Sequence, residues 1–261
     1  MKDELSKEAL AARIEDMCSL AQKRHQPVCS AFLNEAEQYE AQRLLSRRGD
    51  VSFAFWGGSD VCVRRILKVS ESGGYDGYDP EHPDTGGFHV FPVTLTFRKA
   101  DKPGHRDLLG AFMALGIKRE TVGDIFIGEG AAVVFCTKTA RDMITDCITT
   151  VGRIGVSVSD GLPENSEEII KPVRYEDITV TAASVRADCI VSGITGMSRE
   201  KTAEFIRAGS FMLNYAECCN ISRNISGGDI LTLRGYGKYV VSGEPETTKK
   251  GRIRLGLKKY L

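Results

Sequence analysis

Residues 198–214 read SREKTAEFIRAGSFMLN, and the way this stretch folds decides the reading of the last part of the chain. Ser198 stands where an N-cap hydroxyl satisfies free N–H groups at the start of a helix. Thr202, Phe205, Ile206 and Gly209 recur near helical spacing and form the expected buried side, while Arg199, Ala203 and Arg207 share a solvent-facing flank. Gly209 supplies the stop, and Phe211, Met212 and Leu213 open a strand that turns at Asn214. So short a helix has no structural need for that much positive charge on one flank.

Working outward, residues 184–195 predict a short helix with Asp188 in its first turn, ended by Gly196. Downstream, residues 221–225 lead to a Gly227-Gly228-Asp229 turn and a strand over 230–234. Arg186, Arg199, Lys201 and Arg207 are thereby expected along the helical side of a small platform. There, guanidinium forks match phosphate oxygens, and Ser198 or helix-start N–H groups add hydrogen bonds. Such contacts read RNA shape and backbone more than sequence. Asn214, Arg234 and Lys238 complete the candidates of this region. The plainer reading makes the charges a solvated face, with Arg199 and Lys201 paired to Glu200 or Glu204. In the tail, TTKKGRIRLGLKKY (247–260), a strand would place Arg252 and Arg254 on one face. They either extend the basic surface or protect an edge strand.

The chain has 261 residues, 42% hydrophobic and 27% charged, which fits an ordinary globular protein of one large or two modest domains. Its formal net charge is zero, but residues 178–261 carry 13 Lys and Arg against 7 Asp and Glu, and residues 1–177 carry 22 against 28. That split points to a polyanion-binding module at the basic end. No run of about eighteen apolar residues predicts a membrane span. The acidic, amphipathic start is unlike a signal peptide. Eight cysteines without a CxxC pair suggest thiols in a reducing compartment, so the expected location is the cytoplasm.

Towards the N-terminus, Leu5, Ala9, Ala12, Met17, Leu20 and Ala21 fall near helical spacing over residues 1–24. Asn34 is placed to cap a second helix over 35–48. Strands are expected over 51–56 and 64–69, then a long Gly- and Asp-rich loop over 72–87. Another strand follows over 89–97, with Pro92 indicating an edge or an irregular start. A helix to about residue 115, strands near 124–128 and 131–136, a helix over 138–149 and a strand over 151–158 complete the series. The fold class is α+β: a helical N-terminal segment (1–48), a ferredoxin-like or RNA-recognition-like sandwich (49–160), a polar linker (161–177) and a small C-terminal α+β domain (178–261). Arg106, Lys118 and Arg119, at the two ends of the helix that His105 opens, are expected to form a second phosphate-facing cluster.

Here the residues carry a resemblance. SVRAD, MSREKTAEFIRAGSFMLN and ISRNISGGDILTLRG together resemble the S4-type RNA-binding domain, matching at Arg186, Asp188, Ser198, Arg199, Ile206, Gly209, Asn214, Gly228 and Asp229. Departures fall at Ala187, where the family prefers Leu, and at Tyr215, where Gly or Trp is usual. FWGGSD (55–60), HRDLLGAFMALGIKRETVGDI (105–125), VGRIGVSV (151–158) and TKKGRIRLGL (248–257) are similar to the YlmH-type proteins. These are bacterial ribosome-associated proteins with an RNA-recognition-like domain ahead of an S4-type one. The resemblance implies ribosomal RNA and tRNA as partners, and the large ribosomal subunit carrying obstructed peptidyl-tRNA as the target within ribosome-associated quality control. It also implies a link to cell division, and the chain is expected to be monomeric.

An enzyme is the competing reading, because S4-type domains also occur in RNA-modifying enzymes. A pseudouridine synthase of that kind needs Gly-Arg-Leu-Asp, and VGRIGV lacks the aspartate. Gly128-Glu129-Gly130 is too short for a nucleotide loop, and neither a Walker loop, a His/Cys metal spacing nor a Gly-x-Ser-x-Gly elbow is present. The expectation is therefore a binder without catalytic residues, metal or cofactor. A third reading, a protein–protein adaptor, rests on the acidic helical N-terminus.

Overall fold

Leu10, Ile14, Met17, Cys18 and Ala21 recur every three or four residues and bury one stripe of the first helix, α1 (Lys2–Arg24). This stripe differs in phase from the expected one: Ala9 and Ala12 are exposed, because the larger Leu10 and Ile14 remove more apolar surface from water. The computed structural model of the chain describes residues 2–73, 87–249 and 251–261. It divides into two compact units, Met1–Pro172 and Val173–Leu261. Most of the loop expected over 72–87 lies outside the described residues.

In the first unit, β1 (Val28–Leu33) runs into α2 (Glu35–Leu45) through a reciprocal capping box. Asn34 Oδ1 accepts the Glu37 N–H at 3.0 Å, and Glu37 Oε2 accepts the Asn34 N–H at 2.8 Å. β2 (Val51–Trp56) and β3 (Arg65–Glu71) join β1 in an antiparallel sheet ordered β1-β3-β2. These two strands were expected in the 49–160 module; they pair instead with the N-terminal segment, because β1, unforeseen after Pro27, offers them a third strand. Leu67 and Val69 of β3 face α1 and α2, while Ile66 points to the opposite side.

The following stretch comprises β4 (Val90–Thr96), α3 (His105–Ala114), β5 (Val122–Ile127), β6 (Ala131–Thr137) and α4 (Lys138–Cys147). A small β7 (Thr150–Val151) and β8 (Ile154–Gly155) hairpin then precedes β9 (Ser157–Asp160). The antiparallel order β5-β6-β4-β9 is the ferredoxin-like arrangement. Pro92 lies on an interior strand, not an edge. It is tolerated because its nitrogen faces the end of β9, where the Gly161 N–H donates to Pro92 O at 3.0 Å and Gly161 O accepts the Thr94 hydroxyl at 2.7 Å in place of the missing N–H. Leu108, Phe112, Ala140 and Ile144 pack one sheet face against Val93, Leu95, Val134 and Cys136. The other face is also covered: Val133 and Phe135 pack against Phe32, Ile66, Phe88 and Ile169 of α5 (Ser166–Ile169). The sheet face that an RNA-recognition fold leaves open is here an internal layer.

The second unit begins with β10 (Tyr175–Ala182), a strand that starts inside the stretch read as linker. α6 (Ala187–Thr195) and α7 (Arg199–Arg207) follow, then β11 (Phe211–Leu213), β12 (Ala216–Glu217), β13 (Ile230–Leu233), β14 (Gly237–Thr247) and β15 (Ile253–Tyr260). The six strands are ordered β10-β15-β14-β13-β11-β12. Both helices lie on one face of this sheet, where Ile190, Val191 and Ile206 meet Val180, Phe211, Leu231, Val241, Leu255 and Leu257.

Candidate nucleic-acid interface

α7 ends in a Schellman motif. The Ser210 N–H donates to Phe205 O at 3.2 Å and the Gly209 N–H to Ile206 O at 3.1 Å, with Gly209 at φ 70°. A Cβ on Gly209 would also come within 2.7 Å of the Glu217 carboxylate, the movable end of an exposed side chain, so it is the left-handed φ that requires glycine there. At the other end, Ser198 Oγ accepts the Lys201 N–H at 3.4 Å, which makes this hydroxyl a cap rather than a free ligand group. With about 100° per residue, Arg199 and Arg207 lie within about 80° of each other beside the buried Ile206. Lys201 falls about 200° from Arg199, beyond Glu200 and Glu204, and so leaves the expected ridge. Arg199, Lys201 and Arg207 are exposed and form no ion pair among the described residues.

Arg186 behaves differently. Its Nε donates to Asp188 Oδ1 at 3.0 Å and its Nη2 to Oδ2 at 2.9 Å, a two-pronged fork onto a nearly buried carboxylate. Burial pushes the Asp188 carboxyl up, but the hydrogen bonds from Arg186 and from the Cys189 N–H outweigh it, and the pKa is lowered overall. The same hydrogen bond raises Arg186. The first N–H groups of α6 are engaged as well: Ala187 N donates to Arg223 O at 2.8 Å and Asp188 N to Ile221 O at 3.0 Å. The start of α6 is thus closed to an anion, and Arg186 is not the free cation the sequence suggested.

What converges is a concavity of about 470 Å³ between β10, the start of α6, the start of α7 and the β14–β15 turn. Arg186, Arg199 and Arg252 line it together with the hydroxyl-bearing Thr181, Ser184 and Ser192. Arg252 arrives from a tight turn, with its N–H held by Thr248 Oγ1 at 3.1 Å and its guanidinium 3.5 Å from Thr181 O. It precedes β15, so strand alternation does not apply to it. Arg254 lies on the strand itself, alternating with the buried Leu255, and takes the face away from the helices. The two arginines are therefore parted. The three hydroxyls, polar but short, carry no sequence signal that singles them out, and neither does Arg223, exposed within the loop that closes α6.

The remaining candidates scatter. Arg234 is exposed at the far end of α7, where its N–H donates to Ser210 O at 3.0 Å. Asn214 is a turn residue: with Tyr215 it forms a two-residue loop at φ 50° and 64°. Its side chain donates to Asp229 Oδ1 at 2.8 Å and accepts the Ile230 N–H at 2.9 Å. Lys238 lies over the rings of Tyr215 and Tyr260 at 5.0 and 4.5 Å. In the first unit, Arg106 sits in the first turn of α3 and Lys118 beyond its end, roughly 15 Å of helix apart, so no cluster forms. Arg119 folds inward to the carbonyls of Val122 and Gly123, and burial lowers its pKa. Among the described residues no group of three or more His, Cys, Asp or Glu is placed to hold a metal ion.

Comparison with known proteins bears on this geometry. Residues 88–163, the ferredoxin-like stretch, match the family model described as "Putative RNA-binding domain in YlmH". Over these residues the chain is similar to YlmH. It is 27% identical, over 241 residues, to the ribosome-associated protein quality control protein P2 of Bacillus subtilis, covering 90% of this chain and 88% of the relative. Its fold is similar to a solved structure of the cell division protein ylmH from Streptococcus pneumoniae, with a TM-score of 0.51 and 17% identity, over 63% of this chain and 95% of that one. The match gives residues 88–163 a likeness that their covered sheet face alone would not have suggested.

Proposed function

We propose that this chain is a ribosome-associated RNA-binding protein whose second unit, an S4-type domain, grips folded RNA by its sugar-phosphate backbone. The observation that carries this reading is the convergence of Arg186, Arg199 and Arg252 on one concavity, continued by Arg207 along the same flank of α7. Arginine forks with nearby hydroxyls suit phosphate oxygens. The target we infer is the large ribosomal subunit carrying an obstructed peptidyl-tRNA, in cytoplasmic ribosome-associated quality control. Support comes from the family match and from the relative's name. The protein acts as a monomeric binder of ribosomal RNA and tRNA, without chemistry of its own.

The test is co-sedimentation with ribosomes of the full-length protein and its Arg199→Glu, Arg252→Glu and Arg106→Glu variants. Reversal at Arg199 or Arg252 is expected to abolish pelleting, and reversal at Arg106 to leave most of it. Unchanged pelleting of both concavity variants overturns the reading.

A further inference from the structure

The face of the six-stranded sheet opposite the helices carries a different arrangement. The strand registers place Tyr175 opposite Tyr260, Tyr239 opposite Lys259 (so that Lys238 faces Tyr260) and Lys238 opposite Thr232. Residues opposite one another across a sheet share a face, so Tyr175, Tyr260, Lys238 and Thr232 form one row running across four strands. The row belongs to the uncovered side, because its neighbours along the strands, Tyr239 and Leu257, point into the core. The rings of Tyr175 and Tyr260 meet edge to face at 4.9 Å, and the Lys238 ammonium lies over Tyr260 at 4.5 Å and over Tyr215 at 5.0 Å. Tyr175 is 43% exposed at the sheet edge. In the next row, Lys258 is exposed opposite Asp177, and Arg254 is exposed opposite Glu246 further along.

We propose that this row is a second nucleic-acid surface, which takes unpaired RNA by stacking a base on Tyr175 and laying the adjoining phosphates along Lys238 and Lys258. Aromatic rings interleaved with ammonium groups on an open sheet are the arrangement that single strands use. Stacking tolerates any base, because every base has a π-face. Lys238 and Lys258 interleave ammonium groups with the rings, with Asp177 opposite Lys258 and Glu217 ending the row beyond Thr232 and Met212. Among the described residues, aliphatic side chains on this part of the face are limited to the half-buried Val240, Ile230 and Met212, none of them fully exposed. The surface is distinct from the helical concavity, so the two bind RNA independently, one by its folded backbone and the other by its unpaired bases.

The test uses the full chain and a fluorescein-labelled hexa-adenylate RNA, followed by fluorescence anisotropy. Tyr175→Ala should weaken hexa-adenylate binding by about five-fold or more, the loss expected for one stacked base. Tyr175→Phe, which keeps the ring, should bind like the parent. Arg199→Glu should leave the oligonucleotide affinity unchanged while lowering ribosome pelleting, so failure of this surface and failure of the helical one are separable. Equal binding by Tyr175→Ala and the parent overturns the proposal. So does a parent with no measurable affinity for the oligonucleotide, or joint loss of both activities in Arg199→Glu. If Tyr175→Ala instead loses binding to ribonuclease-treated ribosomal protein while its oligonucleotide affinity is intact, the face belongs to a protein partner and the proposal falls.

Discussion

Replacing Asn214 by alanine separates a turn residue from a ligand-binding one. The side chain makes two hydrogen bonds, to Asp229 at 2.8 Å and from Ile230 at 2.9 Å, each contributing about 1 kcal/mol net. Alanine at the φ of 50° held by Asn214 adds roughly 1–2 kcal/mol, because asparagine tolerates the left-handed region and alanine does not. The alanine variant should therefore lose about 3–4 kcal/mol. The glycine variant, relieved of the backbone part, should lose about 2 kcal/mol. For a unit the size of Val173–Leu261, each kcal/mol lowers the melting temperature by roughly 4–8 °C. Thermal melts followed by circular dichroism should rank parent above glycine above alanine. RNA affinity, measured by anisotropy at a temperature where all three are folded, should stay the same. An alanine variant that melts with the parent yet binds RNA more weakly would refute the clamp and return Asn214 to the binding surface.

Arg199→Ala and Arg252→Ala should each flatten the slope of log affinity against log salt, in a salt titration with structured RNA. The expected change is about 0.7–0.9 for every phosphate that the arginine neutralises. Asp188 has a lowered folded pKa, so its contribution to stability is full above the unfolded carboxylate value of about 3.9 and disappears as pH falls through the lowered value. Acid titration of Asp188→Asn should lack that part of the transition. Burial pushes the Cys62 and Cys136 thiols up to about 12, whereas Cys147 and Cys219 are exposed. A thiol reagent at neutral pH should modify Cys147 quickly, Cys219 more slowly because its hydrogen bond to the Glu217 carboxylate raises its pKa, and the buried pair only after denaturation. Gly58 sits at φ 101° with its missing Cβ 2.1 Å from the Phe135 ring. Gly58→Ala should cost at least ~3 kcal/mol in urea unfolding of the first unit, as strain adds to overpacking.

The local features of this chain are legible in its residues, and the tertiary choices are not. α7 announces its cap, its buried stripe and its stop within a dozen positions, and the Asn34 capping box does the same for α2. β10 escapes notice because Tyr175, Glu176 and Asp177 read as polar linker, although the strand they open is held by β15 along its length. β1 escapes because a short apolar run after a proline fits either strand or buried turn. Once it is missed, β2 and β3 have nowhere to go but the wrong sheet, since nothing in a strand's own residues names its partner. The candidate site divides in the same way. The Arg199 and Arg207 flank follows from helical periodicity. Arg252 joins it through a hairpin turn far away in sequence, and the Arg186–Asp188 fork depends on how a non-helical N-cap residue bends back over the first turn.

That fork settles how the charge in the concavity is distributed. Three guanidinium groups face one carboxylate, so the free positive charge resides on Arg199 and Arg252. Arg186 cannot leave for a phosphate without stranding a nearly buried Asp188, and an uncompensated buried carboxylate is far more costly than a surface ion pair is stabilising. Its role is therefore directional: the carboxylate fixes the plane of the guanidinium, and the N–H groups not aimed at Asp188 are held ready at the rim of the site. Removing Arg186 would be felt first as lost folding, through Asp188, and only then as lost affinity. Arg199, exposed and outside any ion pair among the described residues, and Arg252, whose guanidinium meets only Thr181 O at 3.5 Å, can be reversed without that penalty. Charge reversal at those two positions is for this reason the cleaner probe of RNA binding, even though Arg186 stands closest to the centre of the motif.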